Sequence, residues 1–404
     1  MKKIISLTMV MMLILGSLTN VSAAVDAEGT EEVTEEAVAE AAETGPLMLS
    51  LDDAVKIATE NSREMWKIDD GIKQAKDERR SGRDAREVAE SMMSKSLNEE
   101  LTSAELLMSS DYVKALLAKN GYYMKYADTQ QAQLEKNREM LLAGIEVETK
   151  SMYYNVLVAE KSIEINKVNL NSAEEQLRVV NLKFNNGSAT KAEVLNAEMA
   201  VQKAKTDLDS ASDDYRIAQL NLLNKLELPF DSEFILTDTE LKYVPSEEIN
   251  LDEAIEKAKE ERPEILTAEN NLELQKIETH VNKAYYASNL RQHKAAVEKL
   301  KDAELNVPQA YKDVELDVRK SYLNLIKAER TLNNMEKTLE LAREAARINK
   351  LLYDNGMATT LDVLEANAGL AQAEIGHYQL LAAYNINKLI FDNSNLGVSL
   401  GANF

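Results

Sequence analysis

The chain has 404 residues, 45% apolar and 29% charged, with 13 Gly, 5 Pro, no Cys and only 5% aromatic side chains. So few backbone breakers and large rings exclude a β-sandwich or a collagen-like chain and point to long helices. The net charge is −22, from 47 basic and 69 acidic residues. That balance argues against nucleic acid and anionic membrane surfaces as partners, because phosphate contacts need clustered Lys and Arg. Without Cys, and with His280, His293 and His377 scattered, thiol chemistry and the common zinc sites drop out. No catalytic constellation or cofactor site emerges, so the chain is not expected to be an enzyme.

In chain order, residues 1–23 read as a signal peptide. Lys2 and Lys3 precede an apolar run from Ile4 to Leu18, and Val21-Ser22-Ala23 supplies small residues for cleavage. An exported chain without Cys is stabilised by packing and assembly rather than by disulfides. Residues 24–48 form an acidic leader with eight carboxylates from Asp26 to Glu43 and no Lys or Arg, a composition that favours disorder. These carboxylates lack the Gly-containing loop spacing of a calcium site.

The rest of the chain is written twice. Leu51–Ala58 matches Leu251–Ala258 at an offset of 200, and Met152–Asn221 matches Ser321–Ile390 without gaps at an offset of 169. The two repeats span 49–245 and 249–404, and the first holds 31 extra residues (200 minus 169) between 66 and 151. Each opens like a helix: Ser50 or Leu51 precedes Asp52 and Asp53, and Asn250 precedes Asp252 and Glu253. Between the repeats, Leu228 to Pro245 reads as a linker with one short strand at Phe234-Ile235-Leu236-Thr237.

Inside the repeats the apolar residues keep a 3.5-residue period. Val156, Ala159, Ile163, Asn166, Leu170, Ala173, Leu177, Val180 and Phe184 alternate steps of 3 and 4, as do Val194, Ala197, Val201, Ala204, Leu208 and Ala211. The second repeat continues with Leu325, Ala328, Leu332, Met335, Leu339 and Ala342. This is coiled-coil spacing. Asn186-Gly187 and Asn355-Gly356 break it, with Gly187 and Gly356 suited to the left-handed C-cap and Thr190 and Thr359 to the next N-cap. A helix from about 132 to 185 would run roughly 80 Å, so each repeat is expected to be a long antiparallel hairpin. His377 falls on a seam, and Trp66 and the methionines read as core filling.

The Leu-x-x-Ala-x-x-x-Ala openings near 51–58 and 251–258, the Tyr/Phe-x-x-Gly-x-x-Thr-x-x-x-Val-Leu turns at 184–195 and 353–364, and the duplication resemble the TolC family of outer membrane efflux proteins. The resemblance implies an all-α-dominated protomer of an α-helical barrel, a homotrimer, and a passive exit duct served by a periplasmic adaptor protein and an inner-membrane pump. It places the chain in the cell envelope, at the outer membrane. It also implies that acidic residues after the second turn, Asp362 and Glu365, ring the closed entrance. The first copy offers Glu193 and Asn196 at those places. Met357 and Ala358 stand where relatives carry a basic residue. The stretches 84–128 and 285–312, where the family inserts membrane strands, are charged and helix-prone here, so helical tips are expected in place of a full β-barrel and membrane contact is left open. The rival reading is a non-conducting structural or adaptor coiled-coil protein of the envelope.

Overall fold

The computed structural model describes residues 46–95, 110–246 and 249–398. The expected signal peptide, the leader through residue 45 and the last six residues lie outside this range. Two short strands and nine helices make up the described chain: β1 (Leu47–Leu49), α1 (Leu51–Glu60), α2 (Arg63–Lys95), α3 (Ser110–Lys119), α4 (Tyr122–Asn185), α5 (Lys191–Lys225), β2 (Phe234–Leu236), α6 (Leu251–Glu261), α7 (Pro263–Tyr285), α8 (Arg291–Asp354) and α9 (Thr360–Asp392).

The helix starts follow the capping residues. The Ser50 hydroxyl accepts a hydrogen bond from the Asp53 amide, and the Asn250 side chain accepts one from Glu253. These bonds satisfy amides that the first turn leaves without a helical partner. The long helices are twins. Both α4 and α8 have 64 residues, about 96 Å at 1.5 Å per residue, and they coincide end to end at the repeat offset of 169. The expected start near 132 therefore falls ten residues late. The extra residues fall in one stretch of sequence: counted from 85 and 285, which pair at the offset of 200, 36 residues (86–121) precede α4 where 5 (286–290) precede α8, a difference of 31. That connection includes α3, whose Ala115 and Ala118 pack on Ala85 and Ala89 of α2. Among the described residues, 84–128 and 285–312 are helix and turn, as expected, and contain no strand. None of the described helices is long and apolar enough to cross a membrane.

The two strands lie at mid-length rather than at a tip. β1 pairs parallel with β2, Leu47 opposite Phe234 and Leu49 opposite Leu236. Leu47 and Met48, assigned from sequence to the leader, are thus strand residues. Three residues are too few for a periodic signal, and the pairing depends on a partner nearly 190 positions away. Beneath the strands, Tyr153 is fully buried and its hydroxyl donates to the Leu49 carbonyl at 3.0 Å while accepting from the Asp238 amide at 3.2 Å. The first core gathers Leu49, Ala54, Tyr153, Val156, Leu222 and Leu226; the second gathers Ile255, Val318, Leu325, Leu332 and Tyr384. The tail beyond α9 is held by Asn395 to Glu261 and by Val398 against Ala143 and Val147.

On the other side of mid-length the chain becomes a layer of four helices in the order α5–α4–α9–α8, because α4 packs on α5 and α9, and α9 on α8. The heptad reading holds along the seams. Val318, Leu325, Leu332, Leu339, Ala346 and Tyr353, each seven residues from the last, are all buried, as are Val194, Ala197, Val201, Ala204 and Ala211 on α5. Asn166 also sits in the seam and donates to the Ser162 carbonyl within its own helix. Three expectations fail. Trp66 is 70% exposed, because its neighbour Met65 takes the core-facing position. Phe184 is exposed because the helix ends one residue later and its partner helix has not yet begun. Met199 and Met357, read from sequence as core filling, are exposed, whereas His377 is largely buried where α9 faces α8, with Glu336 at 3.9 Å.

Candidate gate at the hairpin turns

Both hairpins turn through the same hydrogen-bond pattern. In the first, the Gly187 amide donates to the Phe184 carbonyl at 2.9 Å and the Ser188 amide to the Lys183 carbonyl at 2.7 Å. In the second, Gly356 donates to Tyr353 at 3.0 Å and Met357 to Leu352 at 2.8 Å. Gly187 and Gly356 have φ of +75° and +72°, the left-handed conformation that closes such a C-terminal motif and that a Cβ disfavours.

The next helices start with reciprocal caps. The Thr190 hydroxyl accepts from the Glu193 amide at 3.2 Å, while a Glu193 carboxylate oxygen accepts from the Thr190 amide at 2.6 Å. Thr359 and Asp362 repeat this at 3.2 and 2.7 Å. Backbone donation from Thr190 and from Thr359 holds the Glu193 and Asp362 carboxyls below their usual range, so both are anionic at neutral pH and fastened to their own turns. Glu365 differs. It lies one turn further along α9, exposed, with no ion pair among the described residues. It faces an open groove of about 1180 Å³ between α5 and α9, floored by α4, with Lys203, Asp207 and Gln372 in its lining.

The two turns are held together. Val180, Val194, Ala197 and Val201 of the first hairpin pack with Leu364 of α9. The Lys183 ammonium sits 4.0 Å from the centroid of the Tyr353 ring, within the range of a cation–π contact. Tyr353 is buried, and its hydroxyl has no hydrogen-bond partner among the described residues, so the ring face is the group that Lys183 engages. The sequence reading missed this clasp. The signal for half of it was available, since Tyr353 continues the seven-residue row of Leu325, Leu332, Leu339 and Ala346; Lys183 lies off any seam, and nothing in its spacing marks a partner on α8.

A rod of two long hairpins, a mid-length sheet and a pair of capped turns is a specific architecture, and comparison with known proteins identifies it. Residues 281–389 match the family model described as outer membrane efflux protein. The chain is TolC-like in fold. In fold it is similar to a membrane protein from Pseudomonas aeruginosa (15% identity, 85% of this chain and 93% of that one, TM-score 0.67). It is also similar to the outer membrane protein VceC from Vibrio cholerae (13%, 86% and 96%, TM-score 0.66) and to the CmeC outer membrane channel of Campylobacter jejuni (12%, 94% and 93%, TM-score 0.62). No curated protein matches the chain by sequence. The family-model match thus covers most of the second hairpin, and the match by fold covers most of the chain.

Proposed function

We propose that this TolC-like chain is the protomer of a homotrimeric exit duct of the cell envelope, a passive, non-enzymatic part of an efflux or export system driven by an inner-membrane pump and joined to it by an adaptor protein. The observation that carries the reading is a pair of unsatisfied edges on the four-helix layer. On α8, Leu305, Leu316, Leu323, Leu341 and Ile348 are exposed, and their spacings of 11, 7, 18 and 7 are each near a whole number of 3.6-residue turns. Leu341 lies nine residues, or two and a half turns, from buried Leu332, so this stripe faces directly away from the core. On the opposite edge, α5 exposes Leu195, Met199 and Ile217. Two different apolar edges on one chain make a head-to-tail contact, and such contacts close into rings when the rotation allows. Within a ring, Glu365 with Asp362 and Glu193 near the turns would place carboxylates around the opening, favouring cations and repelling anions.

Mass measurement in solution tests the assembly. Three full chains of 45.1 kDa make about 135 kDa, and a stable monomer at micromolar concentration would sink the duct. Loss of export of a co-purified pump's substrate on deletion of the chain tests transport. The helical ends at 84–95, 110–128 and 285–312 favour the second reading, a non-conducting envelope coiled coil; that reading gains if the trimer forms and export is unchanged.

A further inference from the structure

We infer that the helical tip opposite the hairpin turns, centred on the α7–α8 connection, is a docking surface for an anionic phospholipid headgroup layer. The chain as a whole carries −22, yet residues 279–297, which span the connection, hold Lys283, Arg291 and Lys294 and no carboxylate, a local balance of +3. Lys299 pairs with Glu278 at 3.4 Å. Lys276, Lys283, Arg291, Lys294 and Lys301 are exposed and meet no carboxylate within ion-pair distance among the described residues. Three of them, Lys283, Arg291 and Lys294, bracket the connection itself.

The connection is stiff and amphipathic. His293 Nδ1 and the Tyr286 carbonyl are 3.0 Å apart, and the Thr279 hydroxyl donates to the Ala296 carbonyl at 2.9 Å, stitching α7 to α8. Tyr285 and Tyr286 pack edge-on at 4.7 Å, and Tyr112 of α3 stands 5.6 Å from Tyr285. Leu290 is 43% exposed at the apex. Tyrosine rings and a lone leucine among unpaired cations match the boundary between headgroups and acyl chains. The negative charge of the rod does not cancel this, because salt screens charges beyond about 8–10 Å and the rod extends about 96 Å behind the tip. Repulsion of the acidic body from the same surface favours end-on contact.

The test is sedimentation of the full chain with vesicles of phosphatidylcholine with or without phosphatidylglycerol. Binding is expected only to the anionic vesicles and is expected to fall as salt rises. The triple variant Lys283→Gln, Arg291→Gln, Lys294→Gln is expected to weaken binding about fivefold per charge, about a hundredfold in all. The charge-preserving set Lys283→Arg, Arg291→Lys, Lys294→Arg is expected to retain it. Neutralising Lys191, Lys203 and Lys205 at the far end serves as the control. If the triple variant loses helicity, the three single variants replace it, each expected to lose about fivefold. Equal binding to neutral vesicles, an equal loss in the control, or binding to soluble polyphosphate but not to vesicles overturns the inference. None of these outcomes depends on whether the chain conducts.

Discussion

Replacing Lys183 with Met removes the cation from the Tyr353 ring while keeping most of the aliphatic stem. The ammonium lies 4.0 Å from the centroid, and the ring is only 7% exposed, placing the contact between the exposed and the desolvated cases, at about 1 kcal/mol. Lys350 also approaches the ring, but at 5.8 Å, and it is held by Asp354 at 3.2 Å, so it replaces little of the loss. One kcal/mol corresponds to about a fivefold rise in the population of separated turns. Amide hydrogen exchange over 183–194 and 350–363 should accelerate by that factor, with no change around the mid-length sheet. A double-mutant cycle of Lys183→Met with Tyr353→Leu isolates the pair, and a coupling of about 1 kcal/mol is expected, against a few tenths for Lys350→Met with Tyr353→Leu. A coupling near zero for Lys183 would refute the clasp, as would acceleration spread evenly along α4 and α8.

Leu332 is fully buried in the second core, and Leu332→Ala should cost about 3 kcal/mol of stability, read as a lowered urea midpoint at unchanged slope. Asp362→Asn tests the acid limb of the second cap. The wild-type carboxyl is held low by the Thr359 amide, so its contribution is complete above the ordinary Asp range near 4 and fades as pH falls through its depressed value. Exchange at 359–363 should therefore be faster in the variant at pH 7 and converge with the wild type in strong acid; a difference that persists there would exclude the carboxylate's role. Leu341→Lys places a charge in the exposed stripe of α8, where Leu341 is 72% exposed. The variant should keep its helicity but sediment as a smaller species, and an unchanged mass would remove α8 from the interface.

Fold class was legible because long helices announce themselves over many turns. The duplication fixed the partnering of the hairpins, and the seven-residue row ending at Tyr353 followed from spacing alone. The turns were legible for a local reason: a left-handed C-cap needs Gly, and the cap after it needs Thr. β1 was not legible, since three apolar residues after an acidic run look like its end. Trp66 misled because residue type was read without the phase of its helix; Met65 one step earlier held the inward position. Asp362 and Glu193 were legible as first-turn carboxylates, but only coordinates show them tied to Thr359 and Thr190 while Glu365 faces the groove. The basic tip was hidden by its own average. A count over 404 residues argued against anionic surfaces, whereas the stretch 279–297 carries Lys283, Arg291 and Lys294 and no carboxylate.

The 31 extra residues of the first repeat all fall in the sequence between residue 85 and α4, whose described residues reach that basic tip, and elsewhere α4 matches α8 and α5 matches α9 in register. In a ring of three, the turn end would therefore present six nearly equivalent hairpin tips, while the other end would present only three copies of an unequal pair. A partner meeting the turns could bind six to a ring with small adjustments between neighbouring sites. A partner meeting the opposite end would find three sites and no more. The stoichiometry of whatever joins this protein is thus expected to differ twofold between its two ends.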